Sequence, residues 1–169
     1  MNGPCARQAL LDGIRGEDSG AFRETLSRFA TGIAVVTVDG GQPASGMGMT
    51  INSFASVSLT PPLVLWSLNG QSSSYRTFAD AMAFTIHVLG ADQLEIARQY
   101  ASKGGFAFRG DEPWLTDTLA RFDCSVHARH PAGDHLIVLG QVTQFHCRDG
   151  LPLVYSARQY GSFIPQSSQ

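Results

Sequence analysis

Thr50, Asn52, Ser53, Ser56 and Ser58 crowd into one short stretch of GMTINSFASVSLTPPLVLWSL (Gly48 to Leu68), a segment that otherwise reads as strand. From Ser56 onward apolar and polar residues alternate, which predicts that Val57 and Leu59 pack a core. Ser56, Ser58 and Thr60 then face water, a partner subunit, or a ligand that takes hydroxyls and backbone amides. A second concentration of donors lies in NGQSSSYRTF (Asn69 to Phe78). There Ser72, Ser73 and Ser74 precede a short helix, so free amides at its start, the hydroxyls and Arg76 would make a phosphate cradle; Ser74 as a plain helix cap is the alternative. In HPAGDH, His135 follows a Gly133-Asp134 turn and is either a polar contact for a ligand or simply the first residue of a strand.

Several chemistries lack their signatures. SGMGMTI carries Ile51 where a dinucleotide fingerprint needs its third glycine, and no phosphate-loop lysine, Gly-x-Ser-x-Gly elbow or His-Glu-x-x-His pair occurs. His127 and His130, three apart on a predicted strand, point to opposite faces, so no metal site is expected. Cys5, Cys124 and Cys147 form an odd set without a Cys-x-x-Cys pair and are expected to be buried thiols. The formal net charge is -2, and Lys and Arg are scattered, which leaves no footprint for nucleic acid or an anionic membrane. Neither a signal-peptide core nor a run of about 18 apolar residues is present, so a cytoplasmic protein is expected. Only 15% of residues are charged against 43% hydrophobic, a balance that suits a self-associating surface.

The elements that would position these groups follow from periodicity. Ser19 can cap a helix carrying Phe22, Leu26, Phe29 and Ala30 and ended by Gly32. IAVVTVDGGQPASGMGMTINS is a hairpin around Asp39-Gly40-Gly41, and Pro61 and Pro62 place a bend or an edge before LVLWSL. A short helix, the strand AFTIHVL and an amphipathic helix with Leu94, Ala97 and Tyr100 on one face come next, then a glycine-rich loop. Two long strands flank HPAGDH, with Leu136, Val138 and Val142 in the core, and LPLVYSARQYGSF supplies one more short strand. Many strands joined by short turns, with three helices, predict a β-barrel with helical decoration rather than βαβ units. The 169 residues read as an N-terminal segment over 1–18, one domain over 19–165 and a tail over 166–169.

From Phe22 to Phe163 the chain resembles the flavin reductase-like domain family, the split-barrel flavoproteins that serve two-component monooxygenases. The resemblance is carried by FATGIAVVT, GMTINSFASVSLTPPLVL, AFTIHVL, LARFDCSVHARHPAGDHLIVLGQV and PLVYSARQY, in the family's order. It implies a mainly β fold, a Greek-key split β-barrel with a few peripheral helices, assembled as a homodimer. It also implies an NAD(P)H:flavin oxidoreductase that uses NADH or NADPH to supply reduced FMN or FAD to a separate monooxygenase. The alternatives are a flavoprotein that keeps its flavin and acts on another small molecule, and a non-catalytic flavin-binding redox module. On this resemblance Met49, Thr50, Ile51, Asn52 and Ser53, with Ser56 and Ser58, meet the polar edge of the isoalloxazine. Ser67, Leu68, Asn69, Ser73 and Ser74 hold the ribityl phosphate, and His135 engages the nicotinamide. Phe108 lines or covers the ring. The family commonly has Lys-Phe where this chain has Ala107-Phe108, so Lys103 or Arg109 would replace that lysine and FMN versus FAD stays open.

Overall fold

The computed structural model describes residues 18–39, 45–101, 105–109, 115 and 117–166. Helix α1 (Ser19–Leu26) is capped by Asp18, whose carboxylate accepts the amides of Gly20 and Ala21 at 3.0 Å each. Ser19 is therefore the first helical residue rather than the cap, since a carboxylate one residue earlier reaches the same orphan donors. The helix stops at Leu26, and Phe22, Leu26 and Phe29 are exposed instead of buried.

Strands β1 (Thr31–Gly32) and β2 (Ala34–Asp39) follow, then β3 (Ser45–Ile51), β4 (Ala55–Leu59), β5 (Pro62–Asn69), helix α2 (Tyr75–Asp80) and β6 (Ala83–Val88). Helix α3 (Leu94–Tyr100), β7 (Phe106–Arg109), β8 (Ala120–Ala132), β9 (His135–Cys147), β10 (Leu153–Ser156) and β11 (Gln159–Ser162) complete the order. Eight strands form one antiparallel sheet in the order β4-β5-β9-β8-β6-β2-β3-β7, and β1-β10-β11 form a small second sheet. The C-terminal segment thus makes a hairpin of two strands where the sequence predicted one. The turn of the β2–β3 hairpin lies outside the described residues.

The large sheet curls until the end of β3 meets β5. Ladder hydrogen bonds do not join these two strands; instead the Ser53 hydroxyl accepts the Ser67 amide at 3.0 Å. Inside the barrel Val36, Trp66, Leu68, Ile86 and Val138 are wholly buried, with Trp66 set edge-on to Phe78 of α2 and to Phe84. The predicted core residues Leu136 and Val142 join this cluster. Outside it Ile33, Val35, Leu89, Leu153 and the α3 residues Ala97 and Tyr100 form a second cluster, so β2 is buried on both faces and reads as a continuous β-branched run. Gly48 makes this packing feasible, because a Cβ there would lie 2.3 Å from the Tyr100 ring.

The β8–β9 turn is the two-residue type in which only the first central residue, Gly133, is left-handed, at φ +62°. The strongest disagreement with the sequence is β4. Val57 is half exposed and Leu59 is 91% exposed, because β4 is an edge strand whose register slips between Ser56 and Ser58 and whose apolar residues look outward. Cys124 is buried, and burial pushes its thiol up to about 12, whereas Cys147 is exposed, contrary to expectation, on the last residue of β9. Cys5 lies outside the described residues. No helix among them is long and apolar enough to cross a membrane, and no group of three or more His, Cys, Asp or Glu is placed to hold a metal ion.

Candidate functional site

The predicted polar residues separate into those that build the barrel and those that face an opening. The Thr50 hydroxyl donates to the Ala97 carbonyl at 2.7 Å and pins α3 against β3. Ser53 closes the barrel on Ser67, and the Ser58 hydroxyl accepts the Thr60 amide at the β4–β5 turn. Ile51 and Leu68 are core side chains, and Met49 packs against the same core, so these three offer a ligand backbone rather than side chain. Ser56 is exposed on the edge strand, opposite Val64. Asn52 is also exposed, and its side-chain amide makes no hydrogen bond among the described residues.

Asn52 stands where two clefts meet. One, of about 330 Å³, is lined by Ile33, Thr50, Ile51, Asn52, Tyr155 and Tyr160. The other, of about 470 Å³, runs from Asn52 and Ser53 to Arg23, Thr31, Tyr155 and Arg158. Two of its walls, α1 and the β10–β11 hairpin, come from opposite ends of the chain and escaped the sequence reading. Tyr155 and Tyr160 pack edge to face at 5.1 Å, and the signal that could have found them is the aromatic pair in VYSARQY. Burial and the neighbouring Tyr155 raise the Tyr160 hydroxyl above its ordinary value.

The other predicted groups connect to this opening through β5. Asn69 is paired with His135 across the β5–β9 ladder, and the Gly70 amide donates to the Asp134 carbonyl at 2.9 Å. His135 Nδ1 lies 2.6 Å from Asp134 Oδ1. That hydrogen bond, the imidazole charge and more weakly the Arg23 guanidinium hold the Asp134 carboxyl below the usual carboxylate range. With Nδ1 committed to the carboxylate, the neutral ring keeps Nε2 as its free acceptor. Thr50 to Ser53, Ser67 to Asn69 and His135 therefore fall along one rim of the barrel, and Arg23 lines the cleft at its Asn52 end.

The serine turn is more self-contained than predicted. Amides of Gln71, Ser72, Ser74 and Tyr75 are taken by the Asn69 side chain, the Asn69 carbonyl, the Ser72 hydroxyl and the Ser72 carbonyl. Ser74 occupies the cap position without making a cap hydrogen bond and is buried, while the Ser73 hydroxyl and Arg76 are among the exposed polar groups. Phe108 does not join the rim. It packs on the outer cluster and lines a separate cavity of about 550 Å³ with Thr37, Thr85 and Asp123. Lys103 lies outside the described residues.

Residues 26–163 match the family model described as flavin reductase like domain. The chain is 46% identical to "FMN reductase (NADH) SmoA" of Agrobacterium fabrum, over 89% of this chain and 90% of that protein. It is 36% identical to an actinorhodin polyketide dimerase of Streptomyces coelicolor, over 86% of each. Among solved structures it superposes on BorF, the flavin reductase component of a bacterial two-component tryptophan halogenase, with a TM-score of 0.74 and 32% identity, covering 88% of this chain and all of that one.

Proposed function

This chain belongs to the flavin reductase like domain family, and we propose that it is an NAD(P)H:flavin oxidoreductase releasing reduced FMN or FAD to a separate flavin-dependent oxygenase. The observation that carries this reading is the polar rim, where an unpaired Asn52 amide, backbone from Met49 to Ser53 and the His135 imidazole border clefts large enough for a ring system. These residues fit a flavin: small side chains admit a flat ring, and Asn52 can both donate to and accept from its polar edge. When bound, a flavin supplies the two-electron chemistry by which nicotinamide is oxidised.

The chain's own residues bind and orient. Asn52 and the neighbouring backbone fix the ring edge, Ser53 holds the wall against which it lies, and His135, steadied by Asp134, offers Nε2 to a carboxamide or a ribose hydroxyl. Ser73 with Arg76 is assigned to the ribityl phosphate. The test is NADH oxidation by the purified protein. A rate that climbs with added free FMN or FAD is expected, and no oxidation at any flavin concentration would overturn the function. A second reading, favoured by the relative named as a polyketide dimerase, has the flavin retained and another small molecule as substrate; NADH oxidation indifferent to added flavin would select it.

His135→Ala is expected to raise the KM for NADH more than it lowers kcat, because it removes a contact made in ground and transition states alike, with flavin affinity unchanged. Kinetics identical to the parent's would reduce His135 to a strand-start residue. We also propose a cytoplasmic homodimer. Val57 and Leu59 on edge strand β4 and Phe145 on β9 present apolar side chains to solvent in the single chain, and an edge strand calls for a cover. Sedimentation should give about twice the 18.1 kDa chain mass; a monomer that retains activity would remove the interface.

A further inference from the structure

We propose that the cleft between α1 and the β10–β11 turn is an anion subsite for the adenylate-side phosphate of a dinucleotide bound along this rim. The inference rests on the function proposed above and adds where that phosphate goes. Arg23 and Arg158 both line this cleft, and neither side chain makes an ion pair or hydrogen bond among the described residues. No acidic residue is among the described lining groups. The Arg23 charge also helps lower the Asp134 carboxyl, which is already committed to His135. The Thr31 hydroxyl lines the same cleft and is buried with no hydrogen-bond partner among the described residues. A buried hydroxyl without a partner is costly unless a ligand supplies one.

The turn that carries Arg158 makes the same point independently. Ser156 pairs with Gln159, so Ala157 and Arg158 are the two central residues, at φ +48° and +63°. Hairpin turns with both central residues left-handed strongly favour Asn-Gly, because a Cβ is disfavoured there. This chain instead places an arginine at the second position, the residue whose planar fork of donors matches phosphate oxygens. Strain of this sort persists where surrounding structure holds it and collects at ligand clamps. Here the Ala157 amide is anchored on the Ser27 carbonyl of the α1 terminus at 2.7 Å, and the flanking Tyr155 and Tyr160 pack edge to face. Meanwhile the serine turn spends four of its amides internally, and Arg23 and Arg158 are the cations that line this cleft. Because the two clefts share Asn52 and Tyr155, a ligand seated in both extends past a single ring, as a dinucleotide does.

The adenylate phosphate is common to FAD and to NADH and absent from FMN, and calorimetric titration separates the sources. Arg158→Gly and Arg23→Gln are titrated with FAD, NADH and FMN, and their melting temperatures are measured. Since glycine suits φ +63°, Arg158→Gly should melt no lower than the parent, which removes misfolding as an explanation. Both variants should weaken either FAD or NADH by at least about tenfold, the scale of one lost charge-assisted contact, and leave FMN within about twofold. Loss confined to FAD assigns the cleft to the flavin dinucleotide, and loss confined to NADH to the nicotinamide dinucleotide; either outcome supports the proposal. Dinucleotide affinities equal to the parent's, an equal loss for FMN, or a parent that binds neither dinucleotide would overturn it. Flavin binding without any NADH oxidation overturns the function instead and leaves the binding comparison standing.

Discussion

Replacing Asn52 and Ser53 together with leucine lowers flavin affinity by about 5- to 150-fold, or about 1–3 kcal/mol, the range for losing donors to a polar ligand. The two positions contribute differently. Asn52 is exposed and its amide is unpaired among the described residues, so Asn52→Leu removes ligand contacts without breaking one in the free protein. Ser53 also accepts the Ser67 amide where β3 meets β5, so its replacement strands that amide and loosens the barrel as well. Asn52→Leu should therefore weaken binding with little change in melting temperature, whereas Ser53→Leu changes both. A fluorescence titration in which the double variant binds flavin as the parent does would exclude this rim as the ring site.

Acidification should destabilise the protein through His87 before most of its carboxylates respond. His87 is 6% exposed, with Nε2 3.1 Å from the Thr37 hydroxyl between two covered faces. Burial first, and the Arg121 charge second, lower its pKa from 6.5 to about 4, with Asp123 opposing them. In the unfolded chain the same imidazole takes up its proton near pH 6.5, so between pH 6.5 and 4 the unfolded state binds more protons and stability falls as pH falls. The shift corresponds to about 3 kcal/mol, fully present above pH 6.5 and lost by pH 4. His87→Gln keeps a hydrogen-bonding partner for Thr37 and cannot titrate, so its urea midpoint should lose correspondingly less across that window. Equal losses for parent and variant would place the acid sensitivity elsewhere.

Where local pattern and burial agree, the sequence is a good guide to this fold. The β-branched run of β2, the hairpin closed by Gly133-Asp134 and the Leu94–Ala97–Tyr100 face of α3 all sit where periodicity puts them. Val57 and Leu59 alternate as a half-buried strand should, yet they point away from the barrel; alternation identifies two faces without saying which one the same chain covers. The β10–β11 turn was hidden because Ala157-Arg158 lacks the Asn or Gly that marks such turns. For the site, the polar stretch after β3 and the Asn69–His135 neighbourhood were legible as local clusters of donors. Arg23, Thr31, Tyr155 and Arg158 were not, since no local signal relates residues more than 120 positions apart.

That separation has a consequence for how the protein acquires its ligand during its own synthesis. The small sheet joins Thr31 and Gly32 to Val154 and Tyr155, and its last strand ends at Ser162. The β8–β9 hairpin, by contrast, needs only neighbouring residues and a two-residue turn, and the barrel strands precede Arg148. A chain emerging from the ribosome can thus assemble most of its barrel while the cleft still lacks one wall. The closure that joins Thr31 to Tyr155 has the longest sequence span of the paired strands and waits for the C-terminal hairpin to be made. Ligand contacts that need Tyr155 and Arg158 can therefore stabilise the finished protein but not the nascent one.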